Sequence, residues 1–354
     1  MRPVIRFLLL AALACATHAE AAIFCVANST ALQNALTTAA GNGDAINTIQ
    51  LRSGTYLASG SGFTYSRSSG TGSLDIEGGW DAGCATQTPD ASLTVLDGHS
   101  TGPILAATNY LAQGGDITVR YASFLHGMAT SNVGAAALTV TTQGATRIEN
   151  CRFRLNHADA ADTDYGIVHV AVVAGPAYFV DNVVANNSAL GSEFVVAFDF
   201  AVGASTIEVY LNDNTIADNA FDTTDPTAGA VFLSPLASGS LANNILWGNG
   251  GQEFLQNITI HPVMLSNDVD VLNVEPGAGS SGNRNDIPQF ISLNNHHLQP
   301  TSPLYNAGQA GAPGGDGAVD LDGNPRIQFG AIDIGAYELQ AEPDPIFANG
   351  FDGA

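Results

Sequence analysis

A short pattern of polar and apolar residues recurs along the middle of the chain, and it constrains the fold more than any other feature of the sequence. Each copy has a polar pair at its start, two mostly apolar positions, and an asparagine six residues after the start. The copies are residues 150–156, 181–187, 213–219, 243–249 and, more weakly, 267–273, with 121–127 as a degenerate sixth. Their starts are 31, 32, 30 and 24 residues apart. A fixed pattern with variable spacing is typical of stacked repeats joined by loops of variable length.

The segments that precede these copies are rich in valine, isoleucine, phenylalanine and tyrosine and are bounded by glycine, proline or serine, so they are predicted to be strands. They cover residues 167–173, 194–200, 207–211, 230–233 and 254–260. The repeat region lacks the sustained periodicity of a helical repeat, and its repeats are shorter than the roughly 40 to 45 residues of a propeller blade. The sequence therefore predicts an all-β chain, a parallel β-helix in which equivalent residues stack about 4.8 Å apart.

The asparagines of the recurring pattern are predicted to serve the turns of this stack. Asparagine tolerates left-handed backbone angles, and its amide can donate to one neighbour and accept from another along a column of equivalent positions. We expect Asn182, Asn214 and Asn244 to form such a ladder, with Cys151 and Asp268 at its ends. The alternative is that these side chains contact a sugar.

Residues 29–40 are predicted to form a short amphipathic helix that caps the N-terminal end of the stack, where core and strand edges would otherwise be exposed. Ser29 or Thr30 is expected to be its N-cap, and Gly41 is expected to end it. The glycine- and serine-rich segment 58–73 is expected to be a surface loop.

Residues 1–19 have the pattern of a cleaved export signal. Arg2 and Arg6 precede an apolar run of ten residues, 7–16, and Ala19 closes a small-residue cleavage site. The apolar run is too short to span a bilayer. We therefore expect a secreted or outer-surface protein with no transmembrane segment in the mature chain, and a retained anchor is the alternative.

Export permits disulfide bonds. Of the cysteines that follow the signal, Cys25 and Cys84 lie in glycine- and aspartate-rich surroundings typical of a surface, whereas Cys151 lies within a strand-like repeat. We predict that Cys25 pairs with Cys84 and that Cys151 is free and buried, since a free cysteine behaves as a small apolar residue. The alternative is that none of them is paired.

The chain is strongly acidic. It has 33 aspartates and glutamates against 10 basic residues, all of them arginine, for a formal net charge of −23. Removal of the signal leaves 8 − 33 = −25. Such a balance argues against a nucleic-acid partner, because phosphates require a positive field, and the absence of lysine excludes a lysine base or Schiff base.

The C-terminal part carries four short motifs: LQPTSP at 298–303, NAG at 306–308, DLDGNPR at 320–326 and DIGAYE at 333–338. Together with GTY at 54–56, GGW at 78–80 and VLDG at 95–98, they resemble the choice-of-anchor Q domain family of exported proteins in the pectin-lyase-like superfamily. The resemblance implies a right-handed parallel β-helix over residues 20–340, with 298–338 as its terminal segment. Residues 341–354 resemble a short sorting tail of exported proteins from Gram-negative bacteria. The activity does not follow, because function must be argued from a site.

Asp320, Asp322 and Asn324 are the candidate metal ligands. Alternating oxygen side chains at a glycine turn suit a hard cation such as Ca²⁺, although the glutamate that completes an EF-hand loop is missing. The alternative is an Asx-turn that also pairs with Arg326. The adjacent His296 and His297 are not expected to share a metal, because neighbours in an extended segment face opposite ways.

The candidates for catalysis lie beside the first clear repeat and are Asp159, Asp162, Asp164, Arg152 and Arg154. Carboxylates near a histidine, here His157, suit acid–base hydrolysis, and lyases of the resembled superfamily use an arginine or lysine base. The alternative is a solvated acidic loop. An enzyme would need Arg120, Arg152 and Arg154 to meet the carboxylates of 157–164 in one cleft.

The sequence thus favours a monomeric, exported or surface-associated β-helix protein with a structural or interaction role, for which a glycan is the ligand considered. It indicates no required cofactor, with calcium as the one candidate. The alternatives are a polysaccharide lyase or glycoside hydrolase of the pectin-lyase-like superfamily and a calcium-stabilised surface protein.

Overall fold

The computed structural model describes residues 20–68, 72–109, 115–129, 134–158, 166–190, 194–200, 207–222, 228–234, 237–256, 261–272 and 275–340. Within these ranges the chain forms one α-helix and 26 β-strands. None of the helical structure in these ranges is long and apolar enough to cross a membrane.

The elements of the first half are β1 Ala21–Val26, α1 Ser29–Gly41, β2 Ile46–Arg52, β3 Gly54–Leu57, β4 Phe63–Arg67, β5 Ser73–Trp80, β6 Thr94–Asp97, β7 Leu105–Asn109, β8 Ile117–Leu125, β9 Leu138–Thr142, β10 Thr146–Arg154, β11 Val168–Val172 and β12 Ala177–Val180. Those of the second half are β13 Val183–Ala185, β14 Ser188–Ala189, β15 Phe194–Phe200, β16 Ile207–Asn212, β17 Thr215–Ala217, β18 Ala220–Phe221, β19 Gly229–Leu233, β20 Ala237–Ala242, β21 Ile245–Trp247, β22 Phe254–Gln256, β23 Val263–Leu265, β24 Asp268–Val269, β25 Phe290–Ser292 and β26 Asn295–Leu298.

Most strands belong to a long parallel sheet in which strand order follows chain order. Its main path is β1-β2-β5-β8-β10-β12-β16-β20-β23, and β13, β17, β21 and β24 pair beside it. Partners lie one repeat apart, so that Arg147 is opposite Thr118 on one side and Tyr178 on the other. The predicted all-β character and the parallel stacking of the repeats are confirmed.

A second parallel sheet has the order β22-β19-β15-β11-β9-β7-β4, and the apolar core joins it to the long sheet. Within the long sheet, the ring of Phe153 stacks between those of Phe124 and Phe179, with centroid separations of 4.9 and 6.3 Å. Phe179 meets Phe198 of the second sheet edge to face at 5.8 Å. Stacked repeats therefore bury aromatic side chains in a continuous column.

Two left-handed residues bend the long sheet in each repeat. The first position of the pattern has φ between 49° and 60° in Tyr121, Asn150, Asp181, Asp213 and Asn243. The sixth position has φ between 54° and 56° in His126, Leu155, Asn186 and Asp218. Asparagine and aspartate adopt this conformation at less cost than other non-glycine residues, which explains the polar start of most copies.

The asparagine after the first turn forms the predicted ladder. Its rungs join Asn182 to Asn214, Asn214 to Asn244, and Asn244 to Asn267 through Nδ2 to Oδ1 bonds of 3.1, 2.9 and 2.8 Å. At one end the backbone N–H of Cys151 donates to Asn182 Oδ1 at 2.9 Å. The placement of Asp268 at the other end is wrong. Strand β24 aligns Asp268 with Ile245, so Asn267 takes the rung, and the ladder continues to Asn283.

A second ladder follows the second turn. The amides of Asn156, Asn187, Asn219 and Asn249 are linked in that order by Nδ2 to Oδ1 bonds of 2.9 to 3.0 Å. The backbone N–H groups of Gly127 at one end and Asn249 at the other complete it, donating to Asn156 and Glu253. These are the asparagines that lie six residues after the start of each copy of the sequence pattern.

The N-terminal end is covered by α1, whose buried face consists of Leu32, Ala35, Leu36 and Ala39. Asn28, and not Ser29 or Thr30, is the N-cap, because its Oδ1 accepts from Ala31 N at 2.9 Å. The helix includes Gly41, with Asn42 as its C-cap. The expected loop at 58–73 is partly wrong, because Phe63, Tyr65 and Arg67 are buried in strand β4.

A disulfide links Cys25 of β1 to Cys84, with Cα atoms 5.9 Å apart, and Cys151 is free and buried, as predicted. The bond ties the first strand of the long sheet to the loop after β5.

Residues 309–321, here called the C-terminal strap, return along the first turns of four repeats. The carbonyls of Gln309, Pro313 and Asp320 accept from the side chains of Asn243, Asn212 and Asn150 at 3.1, 2.8 and 2.8 Å. The strap therefore runs against the direction of stacking. A Cβ at Gly317 would lie 1.7 Å from Asp181 Oδ2, so the strap backbone packs directly on this carboxylate.

Arg326, just after the strap, is buried between the aspartates that start two neighbouring repeats. Its Nη2 donates to Asp213 Oδ1 at 3.0 Å, and its Nε lies 3.3 Å from Asp181 Oδ1. Its Nη1 lies 4.0 Å from Glu338 Oε2. The expected pairing of Arg326 within the Asp320 turn is therefore wrong: the guanidinium binds the sheet instead.

Candidate functional site

Two arginines project from the outward face of β10. Arg152 and Arg154 alternate along the strand and share one face, since successive side chains of a strand point to opposite faces. Arg152 stands in one row with Ser123 and Val95, and Arg154 stands in the next row with Leu125 and Asp97. The register of three parallel strands thus sets the spacing of the site.

All of these residues except Asp97 line a groove of about 250 Å³. Val95, Ser123 and Leu125 contribute to its lining from β6 and β8, and the two arginines line it from β10. Ser123 donates its hydroxyl to Ala91 O at 2.8 Å. The groove thus combines apolar surface, a hydroxyl oxygen and two guanidinium groups.

The C-terminal segment supplies the neighbours of Arg152. Its Nη2 lies 3.4 Å from Asp322 Oδ1 and 3.3 Å from the hydroxyl oxygen of Tyr337. His297 Nε2 is 2.6 Å from Asp322 Oδ2, and its ring stacks on Tyr337 with centroids 3.7 Å apart. A second cavity of about 220 Å³ lies against His297, Asp322 and Tyr337.

Asp322 is an ionised partner in this cluster. Desolvation by burial acts to raise the pKa of Asp322, but the hydrogen bond from His297 and the charges of His297 and Arg152 together lower it below its usual value. Burial raises the pKa of Tyr337, so its hydroxyl stays protonated. The cluster therefore presents one carboxylate, shared between His297 and Arg152.

Arg154 has a different environment. Its Nη2 donates to the amide oxygens of Asn186 and Asn294 at 3.0 and 3.3 Å. Burial, and then the like charge of Arg152, lower the pKa of Arg154. Among the residues that the structure describes, no carboxylate forms an ion pair with it, and its buried Nε lacks a hydrogen-bond partner.

The other catalytic candidates do not join this cluster in the described part of the chain. Arg120 lies on the far side of the left-handed turn at Tyr121 and donates to Glu77. Asp159, Asp162 and Asp164 lie in 159–165, outside the described residues. Their role in catalysis stays a prediction.

The candidate metal ligands form a hydrogen-bonded turn. Asp320 Oδ1 accepts from the backbone N–H groups of Asp322 and Asn324 at 3.1 and 2.8 Å, and Oδ2 accepts from Glu338 N at 3.1 Å. No group of three or more histidine, cysteine, aspartate or glutamate side chains is arranged for a metal within the described ranges. This geometry favours the Asx-turn, and calcium binding stays a prediction.

Sequence reasoning found the two arginines but missed Tyr337 and the pairing of His297 with Asp322. The signal for Tyr337 is the DIGAYE motif at 333–338, which also carries the family resemblance. His296 and His297 do have separate partners, as the extended segment predicts: His296 Nε2 lies 3.0 Å from Asp218 Oδ2.

Comparison of the chain with protein-family models, with curated proteins and with solved structures gave no match.

Proposed function

We propose that this protein is an exported right-handed parallel β-helix of the choice-of-anchor Q type that binds a glycan in the groove at Arg152 and Arg154. The parallel sheets, the one-repeat register and the two asparagine ladders support a β-helix. The disulfide and the signal-like residues 1–19 support export to an oxidising location, secreted or on the outer surface.

One observation carries the binding role: two neighbouring guanidinium groups face a groove that also offers apolar surface. Polar groups placed at the edge of an apolar concave surface are the common arrangement of a ligand site. Val95 and Leu125 can contact the C–H faces of a sugar, while the arginines donate to its oxygens. The repeats hold these residues on paired strands, so the register of the sheet fixes the spacing of their backbone positions.

The test is a glycan array probed with mature protein, comparing wild type with Arg154→Gln and with Arg52→Gln. Arg52 lies on β2, which is separated from β10 by β5 and β8, so its loss makes the same charge change away from the groove. We expect at least about a tenfold loss of affinity for Arg154→Gln alone, which corresponds to about 1.4 kcal/mol. An array without any bound glycan contradicts the proposal.

The alternative function is a polysaccharide lyase, and the presence of Arg152 and Arg154 in one groove is the observation that favours it, because lyases of the resembled superfamily use an arginine or lysine at the reacting centre. The mature protein would be incubated with acidic polysaccharides and followed at 235 nm, with a reducing-end assay for hydrolysis. Product that disappears in Arg154→Gln would support catalysis. Melting with and without EDTA decides the calcium role in the same samples, since an unchanged midpoint removes the cation.

A further inference from the structure

The outermost strands of the parallel sheets differ in how their free edges are covered. At the C-terminal end of the long sheet, Met264 N donates to Ser280 Oγ at 2.9 Å and Ser281 N donates to Met264 O at 3.0 Å, so the segment after β24 covers β23. At the N-terminal end of the second sheet, Gln33 of α1 covers β4. Its Nε2 donates to Thr64 O and its Oε1 accepts from Thr64 N, both at 3.0 Å. The chain thus closes these two edges with groups of its own.

Strand β1, the first strand of the long sheet, has one open edge. It pairs with β2 along all six residues, Ala21–Val26, and within the described ranges no strand pairs with its other side. The strand is nevertheless held in place, because Cys25 is bonded to Cys84 and the carbonyl of Val26 accepts from the hydroxyl of Tyr56 at 2.8 Å. An edge strand of this kind presents a row of backbone N–H and C=O groups to a further strand.

The sequence of β1 lacks the features by which proteins usually block an open edge, which are charged side chains, proline and bulges. Residues 21–26 contain no charged residue and no proline, and they pair with β2 without a bulge. Ile23, near the middle of the strand, is 67% exposed. The following helix α1 is also uncharged, and the flanking charges in sequence are Glu20 and Asp44. In a chain of net charge −23, β1 and α1 therefore add no repulsion between two molecules that meet at this end.

A second copy of the chain is the partner that this edge fits best. Antiparallel pairing about a two-fold axis at Ile23 sets Ile23 opposite Ile23 of the second copy on the outward face. On the inward face, Phe24, which packs against the core, then lies opposite Ala22. The two Glu20 residues are six positions apart in this register, about 20 Å along the strand. That distance exceeds the Debye length of about 8 Å at physiological salt, so their repulsion is screened.

We propose that β1 is an interaction surface for a second copy of this chain, which pairs antiparallel with it to form a two-fold symmetric dimer. One sheet then runs through both molecules, and the dimer takes the place of the monomer expected from the sequence. The dimer does not depend on the groove or on a ligand. A single pair of six-residue strands forms a small interface, so the dimer is weak and depends on protein concentration.

Sedimentation equilibrium of the mature protein, residues 20–354, tests this surface. With a Kd of about 20 μM, wild type should be mostly monomeric at about 2 μM and mostly dimeric at about 200 μM. Ile23→Lys sets two like charges opposite each other at the axis and should raise the Kd at least tenfold. Ile291→Lys makes the same change at another exposed strand position and should leave the Kd unchanged. A wild type that stays monomeric at about 200 μM, or a dimer that Ile23→Lys does not weaken, overturns the proposal.

Hydrogen exchange of wild type locates the surface without any substitution. Amides at the open edge of β1 are exposed to solvent in the monomer and hydrogen-bonded in the dimer, so they should exchange several times more slowly at about 200 μM than at about 2 μM. The amides of β25 should exchange at the same rate at both concentrations. Slower exchange of other strands with no change in β1 overturns the proposal. Urea unfolding of dilute Ile23→Lys should match that of dilute wild type, which separates a loss of pairing from a loss of fold.

Discussion

At the scale of single residues, the hydrogen bonds of the buried amides explain why asparagine is required at the ladder positions. Asn214 Nδ2 donates to Phe179 O at 2.7 Å and to Asn244 Oδ1 at 2.9 Å. Its Oδ1 accepts from the backbone N–H and the Nδ2 of Asn182 at 3.0 and 3.1 Å. Only a short amide has two donors and a doubly accepting oxygen at this reach.

Replacing Asn214 by alanine should lower the free energy of unfolding by about 3 to 5 kcal/mol, because several buried donors and acceptors lose their partner at once. Urea unfolding measures this effect. Asn34→Ala, an exposed position on α1, is the matched control and should change it by less than about 0.5 kcal/mol. Similar losses in the two variants would mean that the ladder does not hold the stack.

Arg326→Met should also be strongly destabilising, by about 3 to 5 kcal/mol, since it leaves the buried Asp181 and Asp213 without a positive partner. Arg284→Met removes a more exposed ion pair with Asp286 and should cost at most about 1 kcal/mol. Thermal unfolding of both variants provides the comparison, and a small effect at Arg326 would contradict the pairing described above.

At the scale of elements, the start of α1 depends on a residue that the sequence pattern did not select. Asn28→Ala should cost about 1 kcal/mol, because it removes the acceptor for Ala31 N. Ser29 lies inside the helix, so Ser29→Ala should change the free energy of unfolding by no more than a few tenths of a kcal/mol, without a loss. Denaturant unfolding separates the two, and the reverse order would show that Ser29 is the cap.

The elements also show what a sequence can and cannot indicate. The strands of the repeat region and the first ladder followed from a local pattern, because each repeat contacts its immediate neighbours and its turns need Asn or Asp. Strand β4 was missed, because its apolar residues Phe63 and Tyr65 lie among glycines and serines that are typical of loops. Asp268 was misplaced, because the last copy of the pattern is one residue out of register with the sheet.

At the scale of the whole molecule, the C-terminal segment could not be placed from sequence. Arg326 and Asp213 are separated by 113 residues, and no periodicity connects them. The cluster around Arg152 has the same origin, since Arg152 lies in a repeat while Asp322 and Tyr337 come from the distant C-terminal segment. Local patterns therefore predicted the arginines of the site but not the C-terminal residues that contact Arg152.

The buried carboxyls make the stability of the whole molecule depend on pH. Burial raises the pKa of Asp213 to about 6 and that of Glu338 to about 8, and it raises the pKa of Asp181 in the same direction. Arg326 opposes these shifts without cancelling them, while Asp320, Asp333 and Glu149 add negative charge nearby.

The native state therefore holds protons that the unfolded chain has released. Stability from these groups is fully present below the unfolded pKa values, near 4, and is lost as pH rises through about 6 to 8. Between its unfolded and folded pKa values, each group lowers the free energy of unfolding by up to about 1.4 kcal/mol per pH unit. Melting temperature should fall between pH 5 and pH 8.5, and Glu338→Gln should flatten the decline. A melting temperature that rises over this range in wild type would contradict the assignment.

The return path of the strap also bears on the order in which the protein is completed. A chain is synthesised from its N-terminus, so the early repeats can stack as soon as the repeats next to them have been made. Asp181 and Asp213, however, receive their counterion from residue 326, and the first turns of four repeats receive their carbonyl acceptors from 309–321. A partly synthesised chain thus has stacked strands with Asp181 and Asp213 still lacking their counterion. The contacts of these first turns are completed only when residues 309–326 have been synthesised.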